Sequence, residues 1–228
     1  MKRAIVLLSG GLDSTVTLAY AISKGYEVIP LTFVYGQKHQ RELKSAREVV
    51  EYYKLRNHVI LNLESKIFSS SALVSSSLQI PEKKSTDEIG GGIPSTYVPA
   101  RNIIFLSIAA GLCETEMADA IFIGANAVDF SGYPDCRPEF FDAFRKVLEI
   151  GTKRGVEGKP LELETPILLL TKAEIVKLGK SLGAPLHLTW SCYRGTEKAC
   201  GRCDSCLLRL KGFREAGFED EIEYEVKE

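Results

Sequence analysis

Apolar residues follow two alternating rhythms along the chain. Short uninterrupted runs rich in β-branched residues occupy positions 4–8, 28–34 and 59–63. Between them, Leu43, Ala46, Val50 and Tyr53 recur at helical spacing within residues 40–54. The alternation continues with a predicted helix at 103–118, a strand at 120–123, a helix at 138–150, a strand near 161–167 and a helix at 172–182. The helix at 138–150 gathers Phe140, Phe141, Phe144, Val147 and Leu148 on one face. Continuous apolar strands separated by helices imply a parallel sheet covered on both sides. The predicted fold is α/β and doubly wound.

Two segments interrupt this rhythm. Residues 65–95 hold seven serines between Ser65 and Ser77, then Gly90-Gly91-Gly92. Loops of that length are uncommon without a function, so the segment reads as a mobile lid or an insertion. Toward the C-terminus the strand signal fades and cysteines accumulate. The predicted organisation is a nucleotide-binding α/β domain over 1–185 carrying a zinc-binding appendage over 186–228.

Composition narrows the function classes. The 228 residues are 45% hydrophobic and 26% charged, the balance of a globular protein. Lys and Arg total 29 against 30 for Asp and Glu, a net charge of -1. That balance argues against sequence-blind binding to nucleic acid or to acidic membranes. The apolar run near the N-terminus is too short for a secretory signal, and the stretch 103–113 falls short of the ~20 residues that span a bilayer. The expectation is a soluble, cytoplasmic protein.

The richest motif is Ser9-Gly10-Gly11-Leu12-Asp13-Ser14, which leaves the first strand and opens a helix. Paired glycines let the backbone turn sharply and approach a ligand, and the N–H groups of a helix start form an anion site. Ser9, Ser14 and Thr15 add hydroxyls, and Asp13 is a carboxylate suited to Mg²⁺. A plain capped Gly-Gly turn accounts for the same residues less fully. No Walker motif is present, since Gly179-Lys180-Ser181 has Glu174 where glycine is required. Lys172 and Arg101 are cations at helix starts, where the dipole disfavours them, so both are candidates for pyrophosphate contacts. Thr171 reads as the N-cap before Lys172.

Cys192, Cys200, Cys203 and Cys206 form a C-x7-C-x2-C-x2-C set. Four thiolates at this spacing satisfy tetrahedral zinc and leave no position for water, which makes the ion structural. After the strand at 120–123, residues 126–138 concentrate carboxylates, aromatics and an arginine where parallel sheets bind ligands. Arg137 offers a fork to a planar carboxylate, and Tyr133 or Phe130 a stacking surface.

The SGGLDS segment resembles the PP-loop of the ATP pyrophosphatase superfamily, whose members adenylate a carboxylate or carbonyl oxygen. With Tyr35-Gly36-Gln37-Lys38-His39, YVPARN at 97–102, GANAVDFSGYPDCRPEF at 124–140, LTKAEI at 170–175 and the four cysteines, the whole chain is similar to the 7-cyano-7-deazaguanine synthase family. The resemblance implies a ligase that joins 7-carboxy-7-deazaguanine and ammonia in queuosine and archaeosine precursor synthesis, through an adenylated acid and an amide. It implies ATP, Mg²⁺ and one Zn²⁺ as cofactors. Leu8, Ser9, Gly10, Gly11, Leu12, Asp13, Ser14 and Thr15 then surround the phosphates, with Gln37 and His39 near the nucleotide. Asp13, Arg101 and Lys172 stabilise charge in catalysis. Asn126, Asp129, Ser131, Tyr133, Asp135 and Arg137 face the deazaguanine. The partners are small molecules, with no membrane or nucleic acid expected and a homodimer left open. The alternative reading is a thiolase-like PP-loop enzyme that modifies tRNA.

Overall fold

The computed structural model describes residues 1–38, 40–75, 77–82, 92–128 and 132–226. His39, Asp129, Ser131 and most of the glycine-rich end of the 65–95 segment therefore lie outside the described residues. In chain order the elements are β1 (Arg3–Leu7), α1 (Leu12–Ser23), β2 (Glu27–Val34), α2 (Arg41–Tyr52), β3 (Val59–Asn62), α3 (Arg101–Thr115), β4 (Ala120–Phe122), α4 (Pro138–Gly151), α5 (Lys153–Val156), β5 (Glu162–Glu164), α6 (Lys172–Ser181) and α7 (Asp204–Ala216). Every strand pair is parallel and the order is β3-β2-β1-β4-β5.

The two faces of β1 show why the sheet is buried on both sides. Successive side chains of a strand point to opposite faces. Ala4, Val6 and Leu8 pack with Leu18 and Ala21 of α1 and with Ala46 and Val49 of α2. Ile5 and Leu7 turn the other way, toward Leu106, Ala109 and Cys113 of α3 and Phe141, Phe144 and Leu148 of α4. The fold is thus the doubly wound α/β arrangement that the sequence pattern predicts. Val147 departs from expectation: α4 buries only the 141/144/148 stripe, and Val147, one position off it, is half exposed.

The chain winds outward from β1 to β3, then returns to place β4 on the other side of β1. This reversal opens a crevice at the carboxyl ends of β1 and β4, the position where such sheets bind ligands. A third layer lies against α1, where Val16 and Ala19 share a core with Ile175 and Val176 of α6 and Phe213 and Ala216 of α7. No helix is long and apolar enough to cross a membrane among the described residues.

The C-terminal tail is fastened by a buried ion pair. Arg209 of α7 donates to both Asp220 oxygens at 2.7 and 2.9 Å, and also to Thr189 Oγ1 at 2.6 Å and the Leu186 carbonyl at 3.2 Å. The Tyr224 hydroxyl donates to Asp220 Oδ2 at 2.6 Å. Burial alone would raise the Asp220 carboxyl, but its bonds to Arg209 hold it below the ordinary value. Removing one partner of such a pair strands a buried charge, so Asp220→Ala should cost about 3–5 kcal/mol, read from the urea midpoint. Because the folded carboxyl is depressed, its contribution is present above the ordinary carboxylate range and fades as pH falls through the lowered value.

Candidate active site

The loop after β1 is arranged around its own backbone. The Ser14 hydroxyl donates to the Gly11 carbonyl at 3.1 Å and accepts from the Ser9 N–H at 3.2 Å, while Ser9 Oγ accepts from the Gly11 N–H at 3.3 Å. Gly11 is the N-cap of α1 and no side chain caps the helix there. The first-turn N–H groups are left to an anion, as the dipole favours. Gly10 sits at φ +84°, and a Cβ on it would lie 2.3 Å from the Glu42 carbonyl oxygen. Only glycine lets α2 close against the loop in this way.

Lys172 explains its unfavourable position at a helix start. Thr171 and Glu174 form a capping box, with Thr171 Oγ1 accepting from the Glu174 N–H and Glu174 Oε2 from the Thr171 N–H. That leaves Lys172 Nζ to reach across to Asp13, at 2.7 and 2.8 Å from its two oxygens. The stem of Lys172 passes over Gly212 of α7, where an added Cβ would lie 2.3 Å from Lys172 Cγ and 2.8 Å from its Cβ.

These groups border one cavity of about 230 Å³. Ser9, Gly11, Leu12, Asp13, Ser14, Leu8, Gln37, Arg101, Asn126, Tyr133 and Lys172 all line it, bringing together most of the residues singled out in the sequence. Arg101 opens α3 behind Ala100, which adopts a left-handed φ of 52°. Asn126 Nδ2 donates to the Ile167 and Leu170 carbonyls at 3.1 and 2.6 Å, so it ties the β4 exit to the approach of α6. The Tyr133 hydroxyl bonds Thr96 Oγ1 at 2.9 Å. The Gln37 amide bridges the Tyr35 N–H and the Phe33 carbonyl at 2.8 and 3.1 Å.

Other expected ligands are placed elsewhere. Asp135 is buried beneath the cavity, where its Oδ2 accepts from the Asn102 N–H at 2.9 Å and caps α3; its carboxylate positions Arg101's helix instead of lining the cavity. Arg137 is the exposed N-cap of α4 and does not border the cavity. Thr15 is fully buried, and its hydroxyl has no hydrogen-bond partner among the described residues. Gly10 acts through its backbone, its carbonyl accepting from the Trp190 N–H at 2.9 Å. His39, Asp129 and Ser131 lie outside the described residues.

Sequence reading missed part of the lining. Phe33 and Phe105 stack at 3.9 Å with planes 10° apart, and Tyr35 meets Phe105 edge-on at 5.5 Å. With Tyr133 they make an aromatic wall. Their only signal was apolarity, which core residues share. Glu42 was missed too, because an acid in the first turn of an amphipathic helix is explained by the dipole alone.

The four cysteines converge as their spacing predicts. All are buried and their sulfurs lie within 4.8 Å of one another, with Cys200 and Cys206 at 3.9 Å. Bonds of roughly 2.3 Å to a tetrahedral ion place sulfurs roughly 3.8 Å apart, so the donor set fits zinc. Backbone N–H groups of Arg194 and Cys200 donate to Cys192 Sγ, and those of Arg202 and Cys203 to Cys200 Sγ, at 3.3–3.4 Å. Such donors stabilise thiolates. Hydrogen bonds from its three neighbours raise the Cys206 thiol, because four crowded sulfurs cannot all ionise without a cation.

Residues 3–217 match the family model of the queuosine biosynthesis protein QueC. The chain belongs to the QueC family. It is 58% identical to the 7-cyano-7-deazaguanine synthase of Acetivibrio thermocellus over 98% of both chains. It is 55% identical to that of Picrophilus torridus, covering 99% of this chain and 92% of the relative. A solved 4-thiouridine synthetase–RNA complex with bound ATP shares the fold, with a TM-score of 0.52 at 20% identity over 98% of this chain and 47% of that one.

Two outcomes check this geometry in the QueC family member. Gly212→Ala should push the Lys172 stem and break its reach to Asp13, raising KM for ATP or lowering kcat while circular dichroism stays native. Stripping metal with a chelator should lower Tm; a loss of about 3 kcal/mol corresponds to roughly 6–12 °C for a chain of this size.

Proposed function

We propose that the chain is an ATP-dependent carbon–nitrogen ligase that converts 7-carboxy-7-deazaguanine and ammonia to 7-cyano-7-deazaguanine, the product in the names of its relatives. The observation that carries this reading is the mixed lining of this one cavity. It brings the uncapped N–H groups at the start of α1 and the Lys172 ammonium together with the aromatic side chains of Phe33, Phe105, Tyr35 and Tyr133. That layout suits a triphosphate beside a flat bicyclic ring bearing a carboxylate.

In the first stage a substrate carboxylate oxygen bonds to the α-phosphorus of ATP and the bond to pyrophosphate breaks. The start of α1 and Lys172 receive the departing charge, and Arg101 offsets charge on the substrate side. No side-chain nucleophile is needed, so catalysis rests on positioning and fixed electrostatics. Ammonia then replaces AMP to give the amide, and a second activation of the amide oxygen leads to the nitrile. Mg²⁺ accompanies ATP and supplies further charge neutralisation; Asp13 is the carboxylate at hand to hold it. Zinc, held by Cys192, Cys200, Cys203 and Cys206, has a structural role. Asn126 and Tyr133 face the substrate, together with Asp129 and Ser131 on the same loop, and Gln37 and His39 border the nucleotide side. Free ammonium is the nitrogen source, the reaction is cytoplasmic, and residues 186–228 form the zinc-bearing appendage of a 1–185 catalytic unit.

Mass spectrometry of a mixture of protein, Mg²⁺, ATP, ammonium and 7-carboxy-7-deazaguanine should detect the nitrile only when ATP and ammonium are both present. Consumption of ATP with the acid untouched would keep the loop assignment and overturn the substrate. Lys172→Ala should lower kcat by about 10²–10³ with the fold intact, the scale of removing one transition-state charge contact; unchanged turnover would remove Lys172 from the reaction.

A further inference from the structure

A nitrile keeps none of the protons of ammonium, so the nitrogen must shed every one inside the cavity or at its mouth. Two carboxylates line that cavity among the described residues, Asp13 and Glu42. Asp13 is engaged, both its oxygens accepting from Lys172 Nζ. Glu42 makes no side-chain hydrogen bond among the described residues. Its position is nonetheless fixed, since α2 begins at Arg41 and closes on Gly10, leaving the Glu42 backbone against the phosphate loop.

We infer that Glu42 is the proton acceptor of the carbon–nitrogen bond-forming step, an assignment that rests on the ligase reading above. Ammonia adds its lone pair to the acyl carbon of the adenylate, and the nitrogen becomes positively charged and acidic. Glu42 takes one proton from it, the carbonyl re-forms, and the C–O bond to AMP breaks with its electron pair leaving on the phosphate. The products are the amide, AMP and a protonated Glu42, which returns its proton to solvent through the open cavity before the next activation.

The surroundings suit this role. Burial pushes the Glu42 carboxyl up to about 7, with Arg101 working in the opposite direction. The other titratable groups among the described lining residues are Arg101, Arg209, Asp13, Lys172, three tyrosines and Cys136. Arg101 and Arg209 are permanent cations, and Asp13 is paired with Lys172. Burial raises the phenols of Tyr35, Tyr133 and Tyr193 and lifts the Cys136 thiol to about 11. On α2 itself, Arg41 lies over the Trp190 ring at 5.0 Å. Among the described residues that line the cavity, Glu42 is the carboxyl that burial moves toward neutrality. The carboxylate is the working form, so at constant un-ionised ammonia the rate falls as pH drops below about 7.

The test compares wild type with Glu42→Gln in three assays: acid-dependent ATP–pyrophosphate exchange, amide and nitrile formation across pH, and trapping with hydroxylamine. The exchange reports adenylation, which moves no nitrogen-bound proton. Glu42→Gln should keep exchange within about twofold yet lose amination by about 10² or more, the usual contribution of a general base. With un-ionised ammonia held constant across pH, it should also lose the acid limb, and hydroxylamine, unprotonated at neutral pH, should restore turnover of the adenylate. Amination at the wild-type rate, or a retained acid limb, would overturn the assignment. So would a parallel loss of exchange, which would place Glu42 in nucleotide binding. A wild-type protein that forms neither amide nor nitrile would instead overturn the ligase reading, and with it this step.

Discussion

A lysine at the first position of a helix is opposed by the dipole behind it, and the molecule resolves this opposition by sending Lys172 to Asp13. The capping box of Thr171 and Glu174 already satisfies the helix start, and the ammonium turns away from it toward Asp13. Asp13, in the first turn of α1, is a carboxylate at the positive end of its own helix, where the dipole favours it. The pair thus joins two helix N-termini across the crevice between β1 and β4. Much of the cavity geometry follows from holding these two ends face to face.

The C-terminal region participates in that geometry. Trp190, just before the first cysteine, donates its N–H to the Gly10 carbonyl, and its Nε1 donates to the Cys192 carbonyl at 3.0 Å. The metal-ligand loop is thereby hydrogen-bonded to the phosphate loop through one residue. Beyond the cysteines, α7 contributes Gly212 under the Lys172 stem and Ser205, Leu208 and Arg209 to the cavity wall. The cysteine cluster bears on the cavity, because the segment that follows it carries the wall against which the lysine is aligned.

The sequence revealed the sheet because a parallel strand buried on both faces is apolar almost throughout, as at 4–8 and, but for Thr32, at 28–34. It revealed the phosphate loop and the cysteine set because their chemistry demands fixed local spacing. It could not place Asp135 and Arg137 relative to the cavity, since a polar loop past a strand end does not show which side chains turn inward. Asp135 is drawn under the cavity by the free N–H at the start of α3, a partner 33 residues away. Glu42 and the Phe33–Phe105 stack were illegible for the complementary reason. Each has an ordinary local explanation, and their role depends on long-range packing that no local pattern records.

The cavity wall draws on residues from Leu7 to Arg209, nearly the full span of the chain. Parallel sheets of this order need long-range contacts before their interior closes. The phosphate loop precedes α7 in the chain, so it is synthesised before Gly212 and the Arg209 wall exist. Until α7 follows, the Lys172 stem has no Gly212 to pass over. A chain cut short before α7 would lack the Ser205, Leu208 and Arg209 side of the cavity.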